Sequence, residues 1–313
     1  MEAVKLRAIA SHLPIGSPVA MSEFSHGAIA SGPAGTAAWV EHDAAADAAL
    51  LWWTRRAFGA PLVLVGPRPL GRVARRVTGL AVAVWEVADG VVRPVVPDAP
   101  IARVAVPSAH EVHAASIERC GAQLVREHGV LSGEVLGLEV CRVTADDLPR
   151  LEIGVGAIDR ETFGLVHAGR DPDASLREVV ATVRAARSDA HGNHPLARLA
   201  TARLLRWRAL TTPTIVGAST LSPAEPPRPR CGISVDEPCV ATGIADDGAP
   251  IVVVFAALAD PGAVPFAIDA RLRESPDARA VIAVLEGNVT GTMAALAAVV
   301  RPAMSFVEVP RSR

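Results

Sequence analysis

The chain has 313 residues, of which 50% are hydrophobic and 20% charged, enough to bury a core and incompatible with general disorder. Its formal net charge of -2 gives no global pull toward nucleic acid or an anionic membrane. Four cysteines, none in a Cys-x-x-Cys pair, argue against a disulfide framework and against structural zinc. No apolar run approaches the ~18 residues of a membrane span, and the opening residues lack the apolar stretch of a signal peptide, so the expected compartment is the cytoplasm. Lys5 is the only lysine and tyrosine is absent, a bias of the kind a GC-rich genome imposes. Lysine-based nucleophiles and the Gly-x-x-x-x-Gly-Lys phosphate loop are thereby almost excluded. Lys5 itself falls in a segment expected to be loose.

Residues 1–42 are broken by Pro14, Gly16, Pro18, Gly27, Gly32, Pro33 and Gly35, which predicts short strands and turns. Over 44–58 the apolar spacing changes to that of a helix, with Asp43 placed to cap it. A buried strand over 61–65, a basic helix over 71–78 and a strand over 80–87 follow, the alternation of an α/β layer. Asp89-Gly90 marks a turn before an edge strand over 91–96. Ser108 and Glu111 fit a capping box, and Ile117, Cys120, Gly121 and Leu124 extend it into a helix ending at His128-Gly129. Strands over 134–143 and 150–156 then form an antiparallel pair, with 162–167 as a third short strand.

Helical periodicity returns over 174–187 and 195–209, with Pro195 as the first residue of the second helix. Residues 211–231 carry five prolines and read as a linker or strap. Beyond it, strands over 239–244 and 251–256 close a hairpin around Asp246-Asp247-Gly248. They are followed by a helix over 265–274, a strand over 280–285, a helix over 289–300 and a last strand over 305–309. No internal repeat is evident. The expected organisation is an α/β (or α+β) protein of mixed sheets with flanking helices. Its first unit spans 1–210, with an acidic segment at 108–167 and a basic helical segment at 174–209, and a smaller unit spans 232–313.

The densest polar cluster lies between residues 111 and 161. A carboxylate inside an apolar strand, as at Glu139, needs a partner, and a hairpin can bring Glu139 to Glu152 with Asp159 nearby. Such oxygens suit Mg²⁺ or Mn²⁺, and a metal-dependent phosphodiesterase would use Glu118, Glu139, Glu152 and Asp159 to polarise phosphate and activate water. The competing reading is structural: Arg142, Arg150 or Arg160 neutralise these carboxylates across the strands. Strict alternation places Glu139 and Arg142 on opposite faces.

Nine arginines between Arg177 and Arg230 face only Glu178, Asp189 and Glu225 within that segment. Arg198, Arg206 and Arg208 beside Trp207 are candidates for phosphate contact without catalysis. Their alternative fate is pairing with the acidic cluster of 134–178, with Trp207 in the core. His191 and His194 are spaced for metal only in a loop, without fixed geometry. No Gly-x-Ser-x-Gly nucleophile motif occurs, and Gly154 and Gly156 lack the third glycine of a dinucleotide fingerprint.

The helix–strand–strand order of 108–167 resembles the restriction-endonuclease-like nuclease fold. That family carries a helical glutamate, matched by Glu118 or Glu127, then acidic and basic residues on adjacent strands. Here Cys141 and Gly154 stand where the basic residue belongs, so the resemblance implies a fold relation more than an activity. More broadly, 137–143, 151–161, 250–255 and 265–271 resemble a family of uncharacterised cytoplasmic proteins of actinobacteria, which implies a host and compartment but no mechanism. The resulting expectation is a non-catalytic protein that binds a protein partner or a second copy of itself, without a cofactor. The alternatives are a nuclease-like enzyme using Mg²⁺ or Mn²⁺ and a non-catalytic nucleic-acid binder.

Overall fold

The computed structural model describes residues 1–17, 20–144, 148–166, 169–188, 194–233, 235–258, 260 and 262–311. The fold is α/β, with three sheets among the described residues. Helix α1 (Glu2–Ile9) occupies a stretch where only strands and turns are expected. Its Leu6, with Leu13 and Ile15, covers Ala28, Ala30, Ala37, Trp39, Val63 and Val65 of the first sheet. Lys5 is anchored rather than loose: its Nζ donates to Glu41 at 2.7 Å and lies 5.4 Å from the centroid of the Trp39 ring.

That sheet runs in chain order: β1 (Ala20–Phe24), β2 (Gly27–Gly32), β3 (Gly35–Trp39), β4 (Leu62–Pro67), β5 (Val82–Ala88) and β6 (Val91–Pro94). β1, β2 and β3 form an antiparallel meander, β3, β4 and β5 are parallel, and β6 returns antiparallel as an edge carrying Pro94. β3 and β4 are buried on both faces, which accounts for the apolar run of β4 and for the small and apolar residues of β3, with Thr36 its one buried polar side chain. The parallel crossovers are α2 (Asp43–Arg56) and α3 (Gly71–Arg76). The cap of α2 is His42, whose Nδ1 accepts the Ala45 N–H at 3.2 Å. Asp43 becomes its first helical residue and pairs with Arg72 and Arg76 instead.

The expected helix over 108–128 is in fact three elements. A 3₁₀ turn at Glu111–His113 leads into α4 (Ala114–Arg119), and Gly121 at φ 88° ends it. The remainder is a strand, β7 (Gln123–Glu127). Glu111 binds Arg126 rather than closing a capping box. Strands β8 (Val130–Val135), β9 (Leu138–Val143) and β10 (Leu151–Ile153) complete a four-stranded antiparallel sheet of order β10-β9-β8-β7. Two-residue turns join β7 to β8 and β8 to β9, with positive φ at His128 and Gly129 and at Leu136 and Gly137. This is the backbone that matches strand twist in tight hairpins. The expected single strand over 134–143 is thus split by a turn. Residues 162–167, expected as a strand, fall largely in a helix, α5 (Ala157–Val166).

Helix α6 (Pro172–Arg187) is capped by Asp171 and sends Leu176, Val180 and Val183 into a core with Ile117, Leu131, Leu138, Val140 and Ile153. The helix expected over 195–209 is interrupted at Ala200, which has φ 47°. A 3₁₀ turn over Pro195–Arg198 precedes the break and α7 (Thr201–Thr211) follows it.

The third sheet takes β11 (Ala218–Ala224), β12 (Cys239–Ala245), β13 (Pro250–Ala256), β14 (Arg279–Leu285) and β15 (Met304–Val309) in chain order. Helices α8 (Ala263–Glu274) and α9 (Gly291–Val299) come between its last three strands. The order helix, three-stranded meander, helix, strand, helix, strand therefore occurs twice, once from α1 to β5 and again from α7 to β15. α1 packs on its meander as α7 packs on its own.

The chain separates into two compact units. One is Met1–Pro100 with Ala259–Ile282 and Val289–Phe306, and the other is Ile101–Leu258 with Ala283–Asn288 and Val307–Arg313. The division falls after Pro100 rather than within 211–231. That proline-rich segment contains β11, whose ladder with β12 ties it into the second unit. Residues 232–313 contribute to both units and do not stand as a separate one.

Candidate functional site

Each strand of the four-stranded sheet contributes one glutamate to the same face. Register sets Glu152 opposite Arg142, Arg142 opposite Ser132, and Glu134 opposite Glu139, while Glu127 lies two residues beyond Val125, the partner of Ser132. A register shift between Gly133 and Glu134 leaves Val140 as an extra residue in β9. That bulge turns Glu139 to the side of Arg142, which strict alternation would not do. The other face carries the apolar core beneath α6.

Like charges directly opposite one another destabilise a sheet, so this face requires compensating cations. Arg203 and Arg206 of α7 supply two. Arg203 reaches Glu134 and Glu127, each at 2.5 Å, and Arg206 reaches the same two at 3.1 and 2.8 Å. Gly137 makes this docking possible, because the backbone of Arg203 lies where a Cβ at that turn would project. Glu139 is 1% exposed and accepts from Arg142 at 2.9 Å, from Arg160 at 2.8 Å and from Arg230. Arg160 also lies 3.6 Å from the half-exposed Glu152.

The electrostatics follow from this geometry. Burial pushes the Glu127 carboxyl up, but Arg206 and Arg203 outweigh it and hold the group at about 2. Desolvation lowers Arg142 and Arg160 from the usual guanidinium value. Among the described residues no three His, Cys, Asp or Glu side chains converge as a metal-binding group. The carboxylate oxygens of Glu139, which a metal would need, face guanidinium groups. Of the four expected catalytic acids, Arg160 brings Glu139 and Glu152 together. Asp159 instead accepts the Val155 N–H at 2.7 Å. Glu118 is exposed on α4, which packs on the apolar side of the sheet.

The three arginines expected to meet phosphate do not form one surface. Arg206 is 1% exposed and committed to carboxylates. Arg198 is exposed on the 3₁₀ turn, separated from α7 by the break at Ala200, and Arg208 donates to the Pro310 carbonyl at 2.7 Å. Trp207 is half-buried. Of the histidine pair, His191 lies outside the described residues. His194 accepts the Leu196 N–H through Nδ1 at 3.2 Å, which in the neutral ring leaves the proton on Nε2.

Beside this cluster the second unit has a cleft of about 500 Å³. Val155, Val179, Val183, Leu196, Leu199 and Ile233 make its apolar walls, and Asp159, Glu178, Thr182 and His194 are its polar members. Arg187 fixes one wall from behind, donating to the carbonyls of Leu196 and Leu199 at 2.6 and 2.7 Å and to that of Leu136 at 3.1 Å. Burial lowers this guanidinium to about 10, so it remains charged at neutral pH. The sequence singles out Asp159 and His194 for metal binding rather than for this cleft, and predicts the helix over 174–187 that carries Val179 and Val183. Thr182 lies on the predicted helix but off its apolar stripe, Ile233 comes from a segment that carries no local signal, and only tertiary folding assembles them. No protein-family profile, curated protein or solved structure matches the chain, so the reading of this site rests on its own geometry.

Proposed function

We propose that this is a non-catalytic cytoplasmic binding protein whose second unit takes a small amphipathic cation in the cleft beside Asp159. The observation that carries the reading is the make-up of that cleft: apolar walls around about 500 Å³, with two carboxylates, Asp159 and Glu178, and no arginine or lysine among its lining residues. Ligand sites of this size are commonly apolar with a few oriented polar groups. Here those groups favour positive charge. The engagement of Glu139 by three guanidinium groups supports a binding role over hydrolysis, because the best-placed carboxylate has no oxygen to spare. No helix among the described residues is long and apolar enough to cross a membrane, which is consistent with the cytoplasmic placement.

Calorimetric titration with phenethylamine and with 3-phenylpropionate separates this reading from its rivals, since the two share a ring and differ in the sign of charge. Binding of the amine alone is expected, weakened at least fivefold by Asp159→Asn with Glu178→Gln. Equal binding of both, or of neither at millimolar concentration, would overturn it.

A further inference from the structure

A second pocket, in the first unit, has the opposite character. It encloses about 220 Å³ between β1 and α2 and is lined by Phe24, Ser25, Ala48, Leu51, Trp52, Arg55 and Arg56. Phe24, Leu51 and Trp52 are half-buried, while Arg55 and Arg56 are exposed. Among the described residues no hydrogen bond or ion pair engages either guanidinium, in contrast to the paired arginines of the second unit, and no carboxylate lines the pocket. Basic residues in the last turn of a helix complement its negative end, which accounts for their sign. It does not account for two uncompensated guanidinium groups meeting two aromatic rings and a hydroxyl around one hollow.

We propose that this pocket binds a planar aromatic anion, with the ring held against Trp52 and Phe24 and the negative group held by Arg55 and Arg56. The volume admits one ring system with its charged group at the mouth. Aromatic faces supply stacking, and guanidinium groups bind carboxylate or phosphate through paired N–H donors. The shared chemistry fits an aromatic carboxylate and a mononucleotide.

Trp52 provides the readout. The full chain is titrated with indole-3-acetate, with adenosine monophosphate and with inorganic phosphate by calorimetry, and the nucleotide titration is repeated by tryptophan fluorescence. Binding of at least one aromatic anion is expected, tenfold tighter than phosphate. Loss of at least tenfold is expected in the double variant Arg55→Gln with Arg56→Gln, whose exposed positions leave folding intact. Binding of indole-3-acetate but not the nucleotide identifies a carboxylate ligand, and the reverse identifies a nucleotide. A Trp52→Leu variant, checked for a native circular dichroism spectrum, should lose the aromatic preference while keeping any weak phosphate binding. The proposal fails if neither aromatic anion binds at 5 mM (about the limit of a useful site), if phosphate binds as well as both, or if the double arginine variant binds unchanged.

Discussion

Arg75 and Asp269, 194 positions apart in the chain, meet inside the first unit as a two-point ion pair, with Nε to Oδ1 at 2.6 Å and Nη2 to Oδ2 at 3.1 Å. Both side chains are buried, and Arg75 also donates to the Ala99 carbonyl at 2.7 Å. One contact therefore ties α3 to α8. Asp269→Asn leaves a buried guanidinium without its counter-charge and is expected to cost roughly 3–5 kcal/mol, while replacing both partners by leucine costs less than that single change. Urea unfolding of the three proteins measures the difference.

The four-residue knot of Glu127, Glu134, Arg203 and Arg206 makes the second unit acid-labile. Glu127 is depressed from 4.5 to about 2 by its two arginines. A depressed carboxyl stabilises the folded state above its unfolded value and loses that contribution as pH falls through the folded one. The stability supplied by Glu127 should thus be complete above about pH 5 and decline from there toward pH 2. Denaturant midpoints across that range should fall more steeply for the native chain than for Glu127→Gln.

The sequence makes Glu139 and Glu152 equal candidates for metal binding, but their environments differ sharply. Replacing Glu139 by glutamine strands three guanidinium groups around a buried amide and is expected to cost at least 3 kcal/mol. Glu152→Gln, at a half-exposed position, should cost about 1 kcal/mol or less. Thermal unfolding ranks the two, and Mn²⁺ calorimetry on the unmodified chain should give no stoichiometric heat. Micromolar Mn²⁺ binding abolished by Glu139→Gln would instead restore the metal-dependent reading.

The thiols divide cleanly. Cys231 is exposed, whereas Cys120, Cys141 and Cys239 are buried. Desolvation pushes the Cys141 thiol up to about 12 and the Cys239 thiol up to about 11. At pH 8, Ellman's reagent should titrate one thiol in the native protein and four after denaturation. A second fast thiol would mean that a buried segment opens readily.

Much of the α/β alternation is legible in the sequence, because buried strands such as 62–67 and 250–256 are long apolar runs and α6 has a strong periodic stripe. The meander of the second unit is harder to read. Asp89-Gly90 announces its hairpin, but His128-Gly129 and Leu136-Gly137 make the same backbone turn with residues that seldom advertise it. Without those turns, β7 reads as the tail of a helix and β8 with β9 as one strand. The side of the sheet on which Glu139 lies depends on a bulge that no local pattern encodes. The pairing of basic and acidic segments is foreseeable from their charges, though not the choice of Arg203 and Arg206 for Glu127 and Glu134 or of Arg230 for Glu139. The cleft is less legible still, since its walls come from four separate stretches of chain.

The repeated order of elements has a consequence for how such a chain is put together. α2 corresponds to α8 and α3 to α9, and in the first unit α2 packs on α9 while α3 packs on α8. Exchanging the corresponding helices turns one contact into the other, which is the relation found at an isologous interface between identical subunits. Within the first unit, these four helices hold by covalent linkage a pairing that two separate copies ordinarily reach by association. Its two helix–helix contacts, freed from having to be identical, can diverge, and the Arg75–Asp269 pair occupies only one of them.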